Sequence, residues 1–393
     1  FPIFININGI YSDKIINVTN NLLLKPIPIN FYVISLFSLF YLIKNFRDPF
    51  IYKFILINTI LFILAISQSF IQSWELNKWI LFFQCILPYL GLIVGFYFFN
   101  FLKIKFFLNF NFYFLFFFML FQIALTLISG YIVLRANLVF FTIYQNIQYV
   151  SSVLVFLTIF SIFLGNFYFS KKKILILFLI SFIYSLMSTN LSTIGIWIFG
   201  FIFYFFIFDK KKLIILPIIY ICLLIFSNIS LDYKKTEYQH DWSFRFEQLN
   251  KILTFQTPTN ISERFKIYNN FFEQKHSLKS IFFGDKNIDL IEKHGSSHNI
   301  FIDYYYLFGL VPVILIVYLL AKYFILSISK GKFCFSIYSV FISYIFFENF
   351  FKVALRQPYS GIMSFFIFGL IIKILVSKKN NLKTITIQNL RNI

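Results

Sequence analysis

The chain has 393 residues, of which 59% are apolar and 13% charged, and its net charge is +20. Soluble domains are about half apolar and about a quarter charged, so this composition excludes a soluble domain, and its apolar content also excludes a disordered chain. It predicts an all-α integral membrane protein, because a helix of about 20 apolar residues spans the hydrocarbon core of a bilayer.

Taken in chain order, the apolar runs predict about 11 transmembrane helices. The long runs are 26–43, 54–74, 79–102, 106–134, 136–170, 174–208, 213–231 and 304–321, and the shorter ones are 333–347 and 357–372. The run 174–208 is predicted to be a hairpin of two helices that turns at 188–192. A single helix there would place the basic clusters 171–173 and 210–212 on opposite sides of the membrane.

The basic residues predict which side of the membrane each loop occupies. Nineteen of the 35 Lys and Arg residues fall in clusters that alternate regularly with pairs of predicted helices. The positive-inside rule assigns these clusters to the cytoplasm, so the basicity reports topology and not nucleic-acid binding. Residues 1–25 are then predicted to lie on the extracytoplasmic side of the membrane. Because no signal peptide is recognisable, we expect a further helix before Phe1, which would give 12 helices with both ends inside.

One long hydrophilic segment divides the chain. Residues 1–230 are predicted to form helices 1–8 with short loops, 231–298 a large extracytoplasmic loop, and 299–393 helices 9–11 with a cytoplasmic tail. The loop holds all four His residues and nine of the 15 acidic residues. Loops of this length in a compact protein are usually functional, so we expect the chemistry here.

Within the loop, segments 243–255 and 261–275 have apolar residues at helical spacing, so each is predicted to be an amphipathic helix on the membrane or over the bundle. Asn260 and Glu263 form a capping-box pattern that would start the second helix. Arg264 then falls in the first turn, where a guanidinium and helix N–H groups could hold a phosphate. An ordinary ion pair with Glu263 is the alternative.

Arginine is distributed differently from lysine. Four of the six Arg residues are predicted outside, at 135, 245, 264 and 356, whereas most Lys residues line the cytoplasm. Arg binds phosphate in a bidentate manner, which makes these residues candidate anion ligands. Arg135 interrupts an uncharged stretch from 106 to 170 and marks a candidate site close to hydrocarbon. Snorkelling or an ion pair with Asp or Glu is the alternative for these residues, and for Arg135 it is a loop position at headgroup depth.

A second group of candidates surrounds the point where the loop re-enters the membrane. His298 could act as a general base, and Asn299 follows it directly. His294 lies four residues earlier, but the intervening Gly and Ser residues disfavour a helix and no third ligand is evident, so we predict no metal site and no cofactor. Asp303 and Glu348 lie near span ends and are candidates as intramembrane acids, with headgroup exposure as the alternative.

The loop and the helix after it resemble the O-antigen polymerases and O-antigen ligases of bacterial envelopes. The matching elements, in order, are Ser262-Glu263-Arg264, Ile281-Phe282-Phe283-Gly284, Ser297-His298-Asn299 and Leu307-Phe308-Gly309-Leu310. The family often has Ser-Arg at the short outside turn before the large loop. Here that turn reads Ser188-Thr189-Asn190-Leu191-Ser192, so an expected phosphate contact is missing or comes from elsewhere, with Arg135 and Arg245 as candidates.

The resemblance implies a glycan donor linked to undecaprenyl diphosphate. A sugar hydroxyl would attack C1 and displace the diphosphate, without a metal or a nucleotide sugar. His298 and Arg264 would be catalytic, and Arg135, Arg245 and Arg264 would bind the diphosphate. Asn299, Asp303 and Tyr304 would line the path of the acceptor or sugar, although interfacial aromatic residues are common for other reasons.

The resemblance favours a polymerase that joins repeat units into O-antigen or capsular polysaccharide in the bacterial inner membrane, with its site facing the periplasm. A ligase that transfers the polymer to lipid A-core is the alternative. The partners implied are the lipid-linked glycan, the bilayer and a chain-length regulator protein. A flippase is disfavoured, because the chain has no internal repeat, only 13 Gly and nine Pro, and few charges deep in its spans.

Overall fold

The computed structural model describes residues 29–73, 79, 82–83, 85–98, 101–129, 148–166, 168–188, 190–228, 242–273, 277–284, 299–349, 355 and 358–377. About 91% of this part of the chain is helical, and no strand occurs in it. The all-α prediction is therefore confirmed for the described residues. Two predicted site residues, Arg135 and His298, lie outside the described residues, as do the other three His residues and Arg356.

Fifteen α-helices can be followed in the described part of the chain. They are α1 (Ile29–Lys44), α2 (Pro49–Gln72), α3 (Leu90–Phe98), α4 (Phe101–Ser129), α5 (Gln148–Gly165), α6 (Lys171–Met187), α7 (Leu191–Phe208), α8 (Leu216–Ser227), α9 (Trp242–Leu253), α10 (Thr259–Glu273), α11 (Leu278–Phe283), α12 (Ile300–Phe308), α13 (Leu310–Lys330), α14 (Lys332–Asn349) and α15 (Pro358–Val376). Short 3-10 helices precede α3 and α8, at Leu87–Tyr89 and Lys210–Ile215.

Several helices are able to cross a bilayer. Four are long and apolar enough, at Pro49–Ile71, Phe106–Ala124, Leu191–Phe208 and Leu310–Lys330. Shorter apolar helices occur at Tyr32–Lys44, Leu87–Phe98, Ser151–Gly165 and Ser360–Val376. Large apolar side chains are exposed on many of these helices, as expected where lipid replaces water as the surrounding solvent.

Helices α3 and α15 approach each other closely, and this contact depends on glycine. A Cβ atom at Gly91 would lie 2.2 Å from the carbonyl oxygen of Ile362, and one at Gly95 would lie 1.9 Å from that of Phe366. From the other helix, a Cβ at Gly369 would lie 2.3 Å from the Leu92 oxygen. Small residues spaced four apart allow this backbone contact, which stabilises helix pairs where no hydrophobic effect operates.

The predicted hairpin at 174–208 is present as α6 and α7. The Nε1–H group of Trp197 on α7 donates to Ser181 Oγ on α6 at 3.0 Å, and Phe178 packs on Phe201 with ring centroids 5.6 Å apart. These pairs are roughly equidistant in sequence from the turn, which makes the two helices antiparallel. The basic clusters at the start of α6 and after α7 therefore lie at the same end.

The predicted span at 304–321 is wrong in its boundaries, because the helix breaks at Gly309. This residue has a φ of 77° and ends α12, and α13 begins at the next residue. The last turn of α12 is held by α2, since Gln68 Nε2 donates to the Phe308 oxygen at 2.8 Å. Residues 300–308 thus form a separate short helix whose last turn is bonded to α2.

Candidate functional site

Both predicted loop helices are present, as α9 and α10, and they pack over the bundle. Phe246 of α9 contacts Phe226 of α8 with ring centroids 5.0 Å apart, and Tyr220 of α8 donates to the Leu253 oxygen at 2.8 Å. The two loop helices are also joined to each other, because buried Gln248 Oε1 accepts the Thr259 N–H at 2.7 Å. Helices α9 and α10 therefore have a fixed position relative to α8.

The start of α10 differs from the prediction. The helix begins at Thr259, so Asn260 lies inside it and is not its N-cap. Gln248 of the preceding helix satisfies the first N–H instead, which is a tertiary contact that a local capping motif cannot reveal. Arg264 consequently lies in the second turn and not in the first, and its side chain is partly buried.

Asn299 has a clear structural role as the N-cap of α12. Its Oδ1 atom accepts the N–H groups of Phe301 at 2.9 Å and Ile302 at 3.4 Å. Asp303 follows in the first turn and is fully buried, with 0% of its surface exposed. A carboxylate in the first turn is favoured by the helix dipole, and burial of its charge requires nearby polar groups.

Tyr268 connects these residues to Arg264. It lies one turn after Arg264 on α10, and the side chain of Asn299 forms a hydrogen bond with it. Burial raises the pKa of Tyr268 to about 12; the hydrogen bond and the charge of Arg264 lower it, and the charge of Asp303 raises it. One phenol therefore lies within electrostatic range of both charged residues. Sequence reasoning missed Tyr268, although its four-residue separation from Arg264 on a predicted helix was a usable signal.

Aromatic packing fixes α10 against α12. The Phe271 ring makes edge contacts with Tyr305 and Tyr306, each at a centroid distance of 5.2 Å. Together with Tyr268 and Ile302 they form a small apolar cluster separate from the main core. Two of the three consecutive tyrosines therefore hold the loop helix in place, and this orders the side of α10 that carries Arg264.

Gly284 and Gly309 each pack against the backbone of the segment that contains the other. A Cβ atom at Gly284 would lie 2.4 Å from the Tyr306 oxygen, and one at Gly309 would lie 2.5 Å from the Phe282 oxygen. Both residues also have positive φ angles, of 79° and 77°, which favour glycine. The short helix α11 is thereby docked on the junction of α12 and α13. Elements that are separated in sequence thus converge around α12.

The other side of α12 faces an apolar cleft with an empty volume of about 870 Å³. Ile300, Phe301 and Tyr304 contribute to its wall from α12. The remaining wall comes from α2, α3, α13, α14, α15 and their junctions, and its lining is almost wholly apolar. The hydroxyl groups of Tyr304 and Tyr89 lie 3.3 Å apart at this wall. Tyr304 thus faces the cleft, while Tyr305 and Tyr306 face the loop.

A second polar cluster occupies the turn where the family's Ser-Arg was expected. Ser192 donates to Glu348 Oε1, and Asn190 Nδ2 donates to Ser152 Oγ at 3.0 Å. Thr193 joins the network through Ser152, at 3.0 Å between the hydroxyl oxygens. Glu348 is fully buried, so headgroup exposure does not explain it. The contributions of Ser152 and Thr193 were not predicted, because the sequence does not indicate which helix faces bring these hydroxyl groups to Glu348.

The remaining predicted residues are not all described. Arg245 is placed on α9, and its side chain is not described; Arg135 and His298 lie outside the described residues. Within the described residues, no group of three or more His, Cys, Asp or Glu side chains could hold a metal ion. The structure brings Arg264, Asn299 and Asp303 together around Tyr268, with Tyr304 on the cleft side of the same helix.

No family model matches this chain, and no curated protein or solved structure is found to be similar to it.

Proposed function

We propose that this protein polymerises oligosaccharide repeat units linked to undecaprenyl diphosphate, at the extracytoplasmic face of a bacterial inner membrane. The proposed topology has about 11 transmembrane helices, with α9, α10 and α11 in the extracytoplasmic loop. The observation that carries the proposal is the position of α12. One face of this helix meets a charged site that contains Arg264 and Asp303, and another lines an apolar cleft.

This arrangement suits a substrate with a charged head and a long hydrocarbon tail. The cleft wall is apolar and lies among helices able to cross a membrane, so a polyprenyl chain fits its chemistry. A diphosphate head would lie at the loop end, where Arg264 offers a bidentate cation. The short α12 would then separate head from tail, with Asn299 fixing the start of the helix.

The proposed reaction is a metal-independent glycosyl transfer. The hydroxyl oxygen of the acceptor sugar forms a bond to C1 of the lipid-linked sugar, while the bond from C1 to the diphosphate oxygen breaks. His298 takes the proton of the attacking hydroxyl. Arg264 stabilises the charge that develops on the departing undecaprenyl diphosphate, with Arg135 and Arg245 as further candidate ligands. Asp303 orients the acceptor or Arg264.

A ligase that transfers the finished chain to lipid A-core is the alternative, because the same donor chemistry serves both reactions. The two differ in what accumulates without the protein. A strain lacking a polymerase attaches single repeat units to its surface lipid, whereas a strain lacking a ligase accumulates polymer on the carrier lipid. A flippase would leave repeat units on the cytoplasmic side of the membrane.

The test is a lipopolysaccharide or capsule gel from a deletion strain that carries the wild type, R264A, R264K or H298A. Loss of a buried charge-stabilising group typically costs about 10²–10³ in rate, so we expect R264A to abolish the ladder and R264K to restore it only in part. Lys266→Ala is the matched control, because Lys266 is an exposed cation on the same helix. A full ladder from both R264A and H298A would refute this site.

A further inference from the structure

The short helix α11, in the long segment between α8 and α12, carries an exposed apolar face. Leu278 is 76% exposed and Phe282 is 55% exposed, and their four-residue spacing places them on one side of the helix. Phe272, in the last turn of α10, is 74% exposed. We call Leu278 and Phe282 the apolar loop face. Such a face is unfavourable in water and marks an interaction surface.

The position of α11 indicates what covers this face. The Phe282 oxygen packs against Gly309, and Gly284 packs against the Tyr306 oxygen, so α11 is fixed beside the first residue of α13. α13 has the length and hydropathy of a membrane span, and its outward side chains are apolar from its first turn, with Leu310 and Ile314 exposed. The apolar loop face therefore adjoins the outward surface of a span at the level where that span begins.

We infer that α11 inserts the apolar loop face into the headgroup region of the bilayer, so that its partner is a lipid surface. Lys279 is exposed between the two apolar residues, and its long side chain can reach lipid phosphates while the apolar residues enter the acyl boundary. The aliphatic and aromatic side chains suit this boundary, where amphipathic helices bury their apolar faces.

This anchor has a consequence for Arg264. α11 is docked on α12, and α12 is packed against α10 through Tyr305, Tyr306 and Phe271. Insertion of α11 therefore sets the depth of the helix that carries Arg264. The further step, that this depth matches the diphosphate of a lipid-linked substrate, rests on the proposed function, whereas the insertion itself does not.

The test measures the depth of a nitroxide label at position 278 or 282. Cys85 and Cys334 are buried, so C222S gives a background in which L278C and F282C are labelled selectively. N270C is the matched control, because Asn270 is exposed on α10 and lies about 160° around that helix from Phe272. The protein is reconstituted in phospholipid vesicles, and collision rates with oxygen and with a water-soluble nickel chelate are compared.

We expect the oxygen-to-nickel collision ratio to be severalfold higher at positions 278 and 282 than at position 270. A ratio equal to that of N270C would overturn the inference, because the face would then lie in water. Protection from both reagents would also overturn it, because a protein partner or a second copy would then cover the face. If F282C fails to fold, L278C decides alone, since Leu278 is the more exposed residue. None of these readings requires activity, so a failed anchor leaves the proposed function standing.

Discussion

At the scale of single residues, sequence patterns located Arg264, Asn299 and Asp303 and missed Tyr268. Arg264 was predicted from its place near the start of an amphipathic loop helix and from the distribution of Arg, and Asp303 was predicted because an acid inside an apolar run is unusual. Tyr268 was not predicted: its four-residue separation from Arg264 indicates a shared helix face, but its contact with Asn299 depends on where α12 packs. The same holds for Ser152 and Thr193, because they join a hydrogen-bond network that includes Glu348 of a distant helix.

Glu348 provides the prediction at this scale. Glu348→Ala should lower the free energy of unfolding by about 1–3 kcal/mol, because it removes a buried hydrogen bond from Ser192 and leaves a cavity, although Asn190 Oδ1 still accepts from Ser192 at 2.9 Å. Glu348→Gln should retain most of the stability, since its amide has the same shape and an oxygen that can accept from Ser192. Thermal unfolding in detergent, followed by fluorescence, measures both. A glutamine variant as unstable as the alanine variant would show that the network requires the carboxyl group itself.

At the scale of helices and helix pairs, the apolar runs predicted most helices, and tertiary contacts decided their ends. The hairpin of α6 and α7 was predicted from charge placement, because its basic ends must share one side of the membrane. The break at Gly309 was not, since the run of apolar residues continues through it. It arises where the Phe282 backbone approaches too closely for a side chain.

The glycine contact between α3 and α15 yields the second prediction. Gly95→Ala should destabilise the bundle by about 1–3 kcal/mol or more, because the new Cβ meets the Phe366 backbone, which cannot move independently of its helix. Gly195→Ala is the control, since the added methyl would meet only the Phe347 ring, at 2.9 Å, and a ring can shift. Thermal unfolding midpoints of both variants measure the difference. Equal midpoints would contradict the tight pairing of α3 with α15.

At the scale of the whole molecule, two helices of the segment between α8 and α12 pack against the bundle. α9 contacts α8, and α10 contacts α12, so these two helices have fixed positions beside the bundle. A charged site can then lie directly beside an apolar cleft across the width of one short helix. This juxtaposition is a property of the assembled fold.

The proposed topology yields the third prediction. In the C222S background, N270C should react with a membrane-impermeant maleimide in intact spheroplasts, whereas K211C should react only after permeabilisation. Both positions are exposed, so accessibility within the protein does not distinguish them. The expected difference follows from assigning the basic clusters to the cytoplasm. Labelling of K211C in intact cells would reverse the orientation and move the site to the other face.

The sequence by itself determined the helical class, the hairpin of α6 and α7 and the presence of two amphipathic helices in the loop, because apolar periodicity and charge placement are local properties of the chain. The tertiary structure alone decided that Tyr268 joins Arg264 to Asp303 and that Glu348 lies in a buried hydroxyl network. It alone decided that α12 lies between the site that contains Arg264 and the apolar cleft. Each of these features depends on which faces of distant helices pack together. A hydropathy pattern predicts where a helix lies in the sequence, but it does not predict which other helix packs against it.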